Sequence, residues 1–289
     1  MGGPDNLLSG WPKATGGDLP SISIRINRNF PAASCALRAP GQQVVRATQR
    51  YAIALMLLAV FSTGSYADVT GIVTIKGTPN SKDETFFAQS PNCGESPIRH
   101  TENWKIGPKG ELADVVVWIV DPKLGPTTAN SAPSIELKQI GCRYDPHVIA
   151  VDAGVPFTII NCDPTLHNIR AKVYDGPGQP PGADVFNFGQ SYQGQKDDKQ
   201  FDDPGIYTLQ CDVHNWMQCW VMVLKTPCFD VTGPDGTVKL LRGADDVLED
   251  GDYKIDAWHP RFAQPLEQTI HVKNGSATVT FQFDGSKSF

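Results

Sequence analysis

GIYTLQCDVHNWM, Gly205 to Met217, is the stretch from which the rest of the chain can be read. Its first half is a β-like run. Its second half sets Cys211, His214 and Met217 at the spacing C-x2-H-x2-M, so a thiolate, an imidazole and a thioether share one short loop. Upstream, Ile160-Asn161-Cys162-Asp163-Pro164-Thr165-Leu166-His167-Asn168 offers a second imidazole just after a turn. Taken singly, a Cys or a Met is ordinary core filling. Two His, one Cys and a weak axial Met are together the donor set of an electron-transfer copper site. A Cys in that role is deprotonated by the metal it binds.

Outward from this loop, the text from Asp68 to the end is strand and turn. Val69–Ile75, Leu112–Val120, Ser134–Ile140, His147–Val151, Pro156–Asn161 and Pro204–Gln210 are short β runs separated by Gly, Pro and Asp. Cys219–Leu224 closes the series. No stretch keeps a helical period, so the expected fold class is all-β, a β-sandwich. Tyr174–Asp203 reads as a long excursion between strands. Its Gly176-Pro177-Gly178-Gln179-Pro180-Pro181-Gly182 is too poor in backbone donors to cradle a phosphate.

Lys225-Thr226-Pro227 marks a boundary. Beyond it, Phe229–Thr232, Thr237–Leu241, Tyr253–Trp258, Thr269–Val272 and Ala277–Phe283 make a second, smaller β unit. About sixty residues bury only a small core, so this unit is expected to pack on its neighbour. Asn274-Gly275-Ser276 matches a glycosylation acceptor, but an Asn-Gly turn between two alternating strands explains it better. The organisation expected is a leader over 1–67, an N-terminal β segment over 68–133, the main sandwich over 134–225 and the small module over 226–289.

Charge is uneven along the 289 residues. Residues 1–67 carry a net +4 and residues 68–289 a net −10, for the chain's −6. An acidic body makes nucleic acid or an anionic membrane surface a poor partner and suits a basic one. Arg46 and Arg50 precede the apolar run Tyr51–Phe61, followed by Ser62-Thr63-Gly64-Ser65-Tyr66-Ala67. That is a secretory signal ending at Ala67, and its apolar run is well short of the roughly 20 residues of a spanning helix. The expectation is a periplasmic or secreted protein beginning at Asp68. Residues 1–43 in front of the signal read either as a start assigned too early or as a transit sequence, with no fold in either case.

Six cysteines follow the signal: Cys93, Cys142, Cys162, Cys211, Cys219 and Cys228. With Cys211 on a metal, five remain, so at least one cannot pair within this part of the chain. Cys93 and Cys142, both in turn-like contexts, are the preferred disulfide. Cys162 and Cys219 flank the proposed site and are a second candidate pair. No C-x2-C is present, which argues against a structural zinc site.

The passages AGVPFTIINCDPTLHNI (Ala153–Ile169) and GIYTLQCDVHNWM resemble the two halves of a type-1 copper site in the cupredoxins. The loop length is that of amicyanin-like members, which accept electrons from methylamine dehydrogenase. The resemblance covers roughly residues 134–225 and implies a Greek-key β-sandwich holding one copper ion. It makes His167, Cys211 and His214 the equatorial ligands and Met217 the axial one, with Asn168 tying the two loops together beside the Cys. A closer resemblance, over most of 68–289, is to exported bacterial proteins labelled methylamine utilization protein. These join this domain to a carboxypeptidase-regulatory-like or transthyretin-like β module. It rests on GCRYDPHVIAVDAG (Gly141–Gly154), CDVHNWM (Cys211–Met217) and DGDYKIDAWHP (Asp250–Pro260). Cys162, Cys219 and Cys228 depart from that group's small, apolar or aromatic residues, and imply an added disulfide near the metal.

His147 is the leading spare imidazole and reads as a packed residue at a strand start. His100, His259 and His271 are isolated and no H-x-H occurs, so the further ligands of a multicopper oxidase or a copper nitrite reductase are missing. No nucleophile elbow, zinc-protease motif or Walker loop is present. Asp245, Asp246, Glu249, Asp250 and Asp252 lack the spacing of a calcium loop. The function expected is single-electron transfer with a cytochrome or a dehydrogenase as partner, and no bond chemistry by the protein itself. Copper storage or delivery is one alternative, and a metal-free envelope adhesion or scaffold protein with a vestigial site is another.

Overall fold

The structure is a computed structural model, and it describes residues 68–87, 91–94, 96–120, 135–240 and 248–289. The leader, Cys35, and Asp245 and Asp246 lie outside the described residues. The first part of the chain gives β1 (Val69–Lys76), β2 (Thr85–Phe87), β3 (Ile98–His100) and β4 (Val116–Ile119). The middle gives β5 (Glu136–Gln139), β6 (Tyr144–Asp145), β7 (Val148–Asp152), β8 (Phe157–Asn161), β9 (His167–Val173), β10 (Asp184–Gln190), β11 (Lys196–Lys199), β12 (Gly205–Gln210) and β13 (Gln218–Leu224). The last part gives β14 (Phe229–Val231), β15 (Thr237–Lys239), β16 (Gly251–Trp258), β17 (Leu266–Val272) and β18 (Ala277–Asp284). The all-β expectation is met.

The middle strands form two facing sheets, β10-β9-β12-β13-β7 and β11-β8-β5-β6. Between them lies one core, with Leu137, Phe157 and Ile159 from one side and Ile169, Leu209 and Val221 from the other. Each such side chain contributes about 1.5–3 kcal/mol on leaving water. The segment read as a long excursion carries β10 and β11, which are edge strands. Their exposed positions (Asp184, Val185, Asn187 and Gly189 in β10; Lys196 and Asp198 in β11) dilute the apolar signal that marks an inner strand.

The second unit is not built from the C-terminal residues alone. Its sheets are β15-β1-β18 and β14-β4-β16-β17, so β1 and β4 from the N-terminal segment are inner strands among C-terminal ones. β1 runs parallel to β18 over its whole length, Val69 opposite Ala277 and Lys76 opposite Asp284. Their joint core holds Val73, Val117, Ile255 and Phe281. The middle sandwich thus interrupts, in sequence, a unit whose two halves meet in space.

Both units share a third core, and it explains the strands without alternation. In β7, Ile149 and Val151 face the sandwich interior, while Val148 and Ala150 face the second unit. In β4, Val117 and Ile119 face the second unit's own core, while Val116 and Trp118 face back. A strand buried on both faces reads as a continuous apolar run. Trp220 of β13 meets Trp258 of β16 edge-on, ring centroids 5.9 Å apart. Such a pair adds about 0.5–1.5 kcal/mol to its area burial. The Asn274-Gly275 turn joins β17 to β18 with both residues left-handed (φ 51° and 69°), as a two-residue hairpin demands.

Candidate metal centre

Gln210 pairs with Gln218 across the β12–β13 hairpin and with Arg170 on β9. The loop Cys211–Met217 therefore caps the hairpin, and antiparallel register brings the start of β9, His167 and Asn168, directly beside it. Within the loop, Met217 N–H donates to His214 O at 2.9 Å and Cys211 N–H to Met217 O at 3.4 Å. These bonds fold three donor residues into one turn.

The side chains converge. His167 Nδ1 lies 3.1 Å from His214 Nδ1, and Cys211 Sγ lies 3.6 Å from that same nitrogen. His167, Cys211 and His214 form a buried cluster whose donor atoms lie within 4.8 Å of one another. Nitrogens about 3 Å apart with a sulfur at about 3.6 Å leave a point roughly 2.0–2.3 Å from all three, the span of metal–imidazole and metal–thiolate bonds. Met217, the last residue of the loop, is buried in the same core as Cys211.

Electrostatics separate the cysteines. Burial pushes the Cys211 thiol up, but hydrogen bonds from His167, His214 and the Asn168 amide outweigh it and bring it down to about 6. For His167, burial opposes the charged ring, and Asp163 and Cys211 overcome it, so its pKa is raised. Cys219, fully buried, is held well above the usual thiol range by burial. Cys211 is the thiol poised to act as an anion.

Asn168 makes the ties its position suggested. Its amide N–H donates to Cys211 Sγ at 3.3 Å, and its Oδ1 accepts from the Asp212 amide at 3.1 Å. Its Nδ2 donates to Asn187 Oδ1 at 2.6 Å. His147 lies elsewhere, with Nδ1 against Gln218 O at 2.9 Å and its pKa pushed down to about 4, chiefly by burial.

Asp163 is the residue the sequence reading missed. Read only as a turn residue, its Oδ2 accepts from His167 Nε2 at 2.9 Å and from the Cys142 amide at 2.8 Å. Its Oδ1 accepts from the Gly141 amide at 2.7 Å. Gly141 and Cys142 are both left-handed (φ 61° and 55°), so their amides converge on one carboxylate. The Asp-Pro-x-x-His spacing was the available signal. Cys93 and Cys142 form the expected disulfide. The pairing of Cys162 with Cys219 does not form, because Cys219 carries a free thiol inside the core. As the second residue of β13, it points its side chain into the core, where it is fully enclosed.

Part of this chain is similar to cupredoxins. A Cu(I) amicyanin variant matches 37% of this chain and 98% of its own, at 21% identity and a TM-score of 0.25. A purple cupredoxin from Nitrosopumilus maritimus matches 32% of this chain and all of its own, at 19% identity and a TM-score of 0.25. A copper-containing nitrite reductase from Thermus scotoductus matches 36% of this chain but 27% of its own, at 21% identity and a TM-score of 0.26. No family model matches the chain, and no curated protein does. The expectation of a protein without bond chemistry of its own is corrected here. An enzyme, the nitrite reductase, stands among the similar structures. No helix among the described residues is long and apolar enough to cross a membrane.

Proposed function

We propose that this chain is an exported protein that binds one copper ion through His167, Cys211 and His214, with Met217 as a weak axial ligand, and passes single electrons between redox partners. The observation that carries this reading is the facing of His167 Nδ1 and His214 Nδ1 at 3.1 Å, with Cys211 Sγ 3.6 Å from the latter. A bound copper ion would supply a one-electron couple that thiolate, imidazole and thioether donors suit. The chain's own residues do the rest. Asp163 fixes the His167 ring, so that Nε2–H is committed and Nδ1 is free to ligate. The Asn168 amide orients the Cys211 sulfur, and its side chain clamps the loop to β9. Burial of all four donors excludes water and protects the thiolate from oxidation.

The acidic body, net −10 over 68–289, favours a basic docking face on the partner, a cytochrome or a dehydrogenase. Kinship with the exported proteins labelled methylamine utilization protein, including their transthyretin-like module, belongs to the same reading. Voltammetry of copper-loaded protein tests it. A reversible one-electron wave is expected; bound copper with no reversible wave would refute electron transfer.

A further inference from the structure

The Cys93–Cys142 disulfide lies against the far edge of His214. Cys93 Sγ is 3.7 Å and Cys142 Sγ 3.8 Å from His214 Nε2, the nitrogen turned away from His167 and Cys211. All three side chains are buried. Each cysteine is held by bonds that do not involve the other. Arg99 donates to Cys93 O, and Trp216 Nε1–H donates to Cys142 O at 2.9 Å. The Cys142 amide is fixed on Asp163. Cleaving the S–S bond therefore leaves both sulfurs beside the ring.

We propose that reduction of Cys93–Cys142 creates a second metal site, two thiolates and His214 Nε2, for a soft d10 cation such as Cu(I) or Zn(II). A dithiol reductant supplies two electrons and two protons. The S–S bond breaks, two S–H bonds form, and the reductant closes its own disulfide. The freed sulfurs separate to non-bonded contact, roughly 3.7 Å. With the two existing sulfur–nitrogen distances, the donors then form a nearly equilateral triangle. Its centre lies roughly 2.2 Å from each corner, between the ~2.0–2.1 Å of metal–imidazole and the ~2.3 Å of metal–thiolate bonds. The incoming ion displaces the two thiol protons. A neutral imidazole has one unprotonated nitrogen, so binding at Nε2 puts the proton on Nδ1 and withdraws His214 from the first donor set. The two sites are alternatives, and the redox state of the disulfide selects between them.

The site rests on the disulfide and not on the electron-transfer reading, and Cys211→Ser separates the two by removing the first set's thiolate. Cys211→Ser protein is titrated anaerobically with Co(II), before and after reduction by a dithiol and desalting. A thiolate-to-cobalt band saturating at one ion per chain is expected only after reduction. It should vanish when Cys93→Ser and Cys142→Ser are added, and binding should weaken at least tenfold with His214→Ala added. No band after reduction overturns the proposal, as does a band that survives loss of Cys93 and Cys142. Loss of near-ultraviolet dichroism on reduction overturns it too, because the site needs both anchors in place.

Discussion

Asp163 Oδ2 accepts the His167 Nε2–H at 2.9 Å, from a carboxylate that also holds the Gly141 and Cys142 amides. One buried side chain thereby joins His167 to the corner that carries the disulfide.

Replacing it should be felt at both ends. Asp163→Ala leaves two amides and a ring N–H without their acceptor, and hydrogen bonds to a charged group are worth about 1.5–3 kcal/mol each. Copper affinity should fall 10–100-fold, the range for losing a partner that orients a ligand histidine. Competitive copper titration alongside urea unfolding checks both losses. Unchanged affinity would mean that the His167 ring is not held by this carboxylate.

His167 and His147 should behave oppositely. His167→Ala opens the donor set to water, so copper binding should weaken, the colour should change and reversible electron transfer should be lost. His147 bonds to Gln218 O and belongs to no donor cluster among the described residues, so His147→Ala should leave the copper spectrum alone. Asn168→Ala should be a milder form of His167→Ala. Visible spectra of the three variants decide the assignment.

The halves of the site were unequally legible. Cys211, His214 and Met217 stand together in sequence, and a tight hairpin loop cannot separate them. His167 was legible through its turn and its following Asn168, since β9 must then run beside β12. Asp163 was not, because a side chain before proline in a turn carries no mark of what it accepts. The fold was legible where one face is wet and where both are buried, as in Val148–Val151. It was missed at β10 and β11, whose edge positions look like loop. That β1 lies along β18 is a contact across some two hundred residues, and nothing local encodes it.

Acid should destabilise the protein through two buried histidines. Burial pushes His147 down to about 4 and His259 down to about 3. Each is neutral when folded and protonates near 6.5 when unfolded. The unfolded state therefore binds more protons between those values, and stability must rise with pH there. It should be full above about pH 6.5 and decline as pH falls toward 4. His147→Gln should flatten that decline in urea titrations at pH 7, 6, 5 and 4. An unaltered slope would contradict the burial argument.

Met217→Leu should keep copper and its thiolate colour, because the two imidazoles and the thiolate remain. The potential should rise, since a weak donor to Cu(II) has been removed. Voltammetry reads this directly, and an unchanged potential would place Met217 away from the metal.

The most direct measurement is an optical titration of the purified protein with Cu(II) near pH 7, beside the Cys211→Ser variant. Wild type should develop an intense visible thiolate-to-copper band that saturates at one ion per chain, and Cys211→Ser should show none. A wild type without that band, or a band that persists without Cys211, would contradict the assignment of this loop as the metal centre.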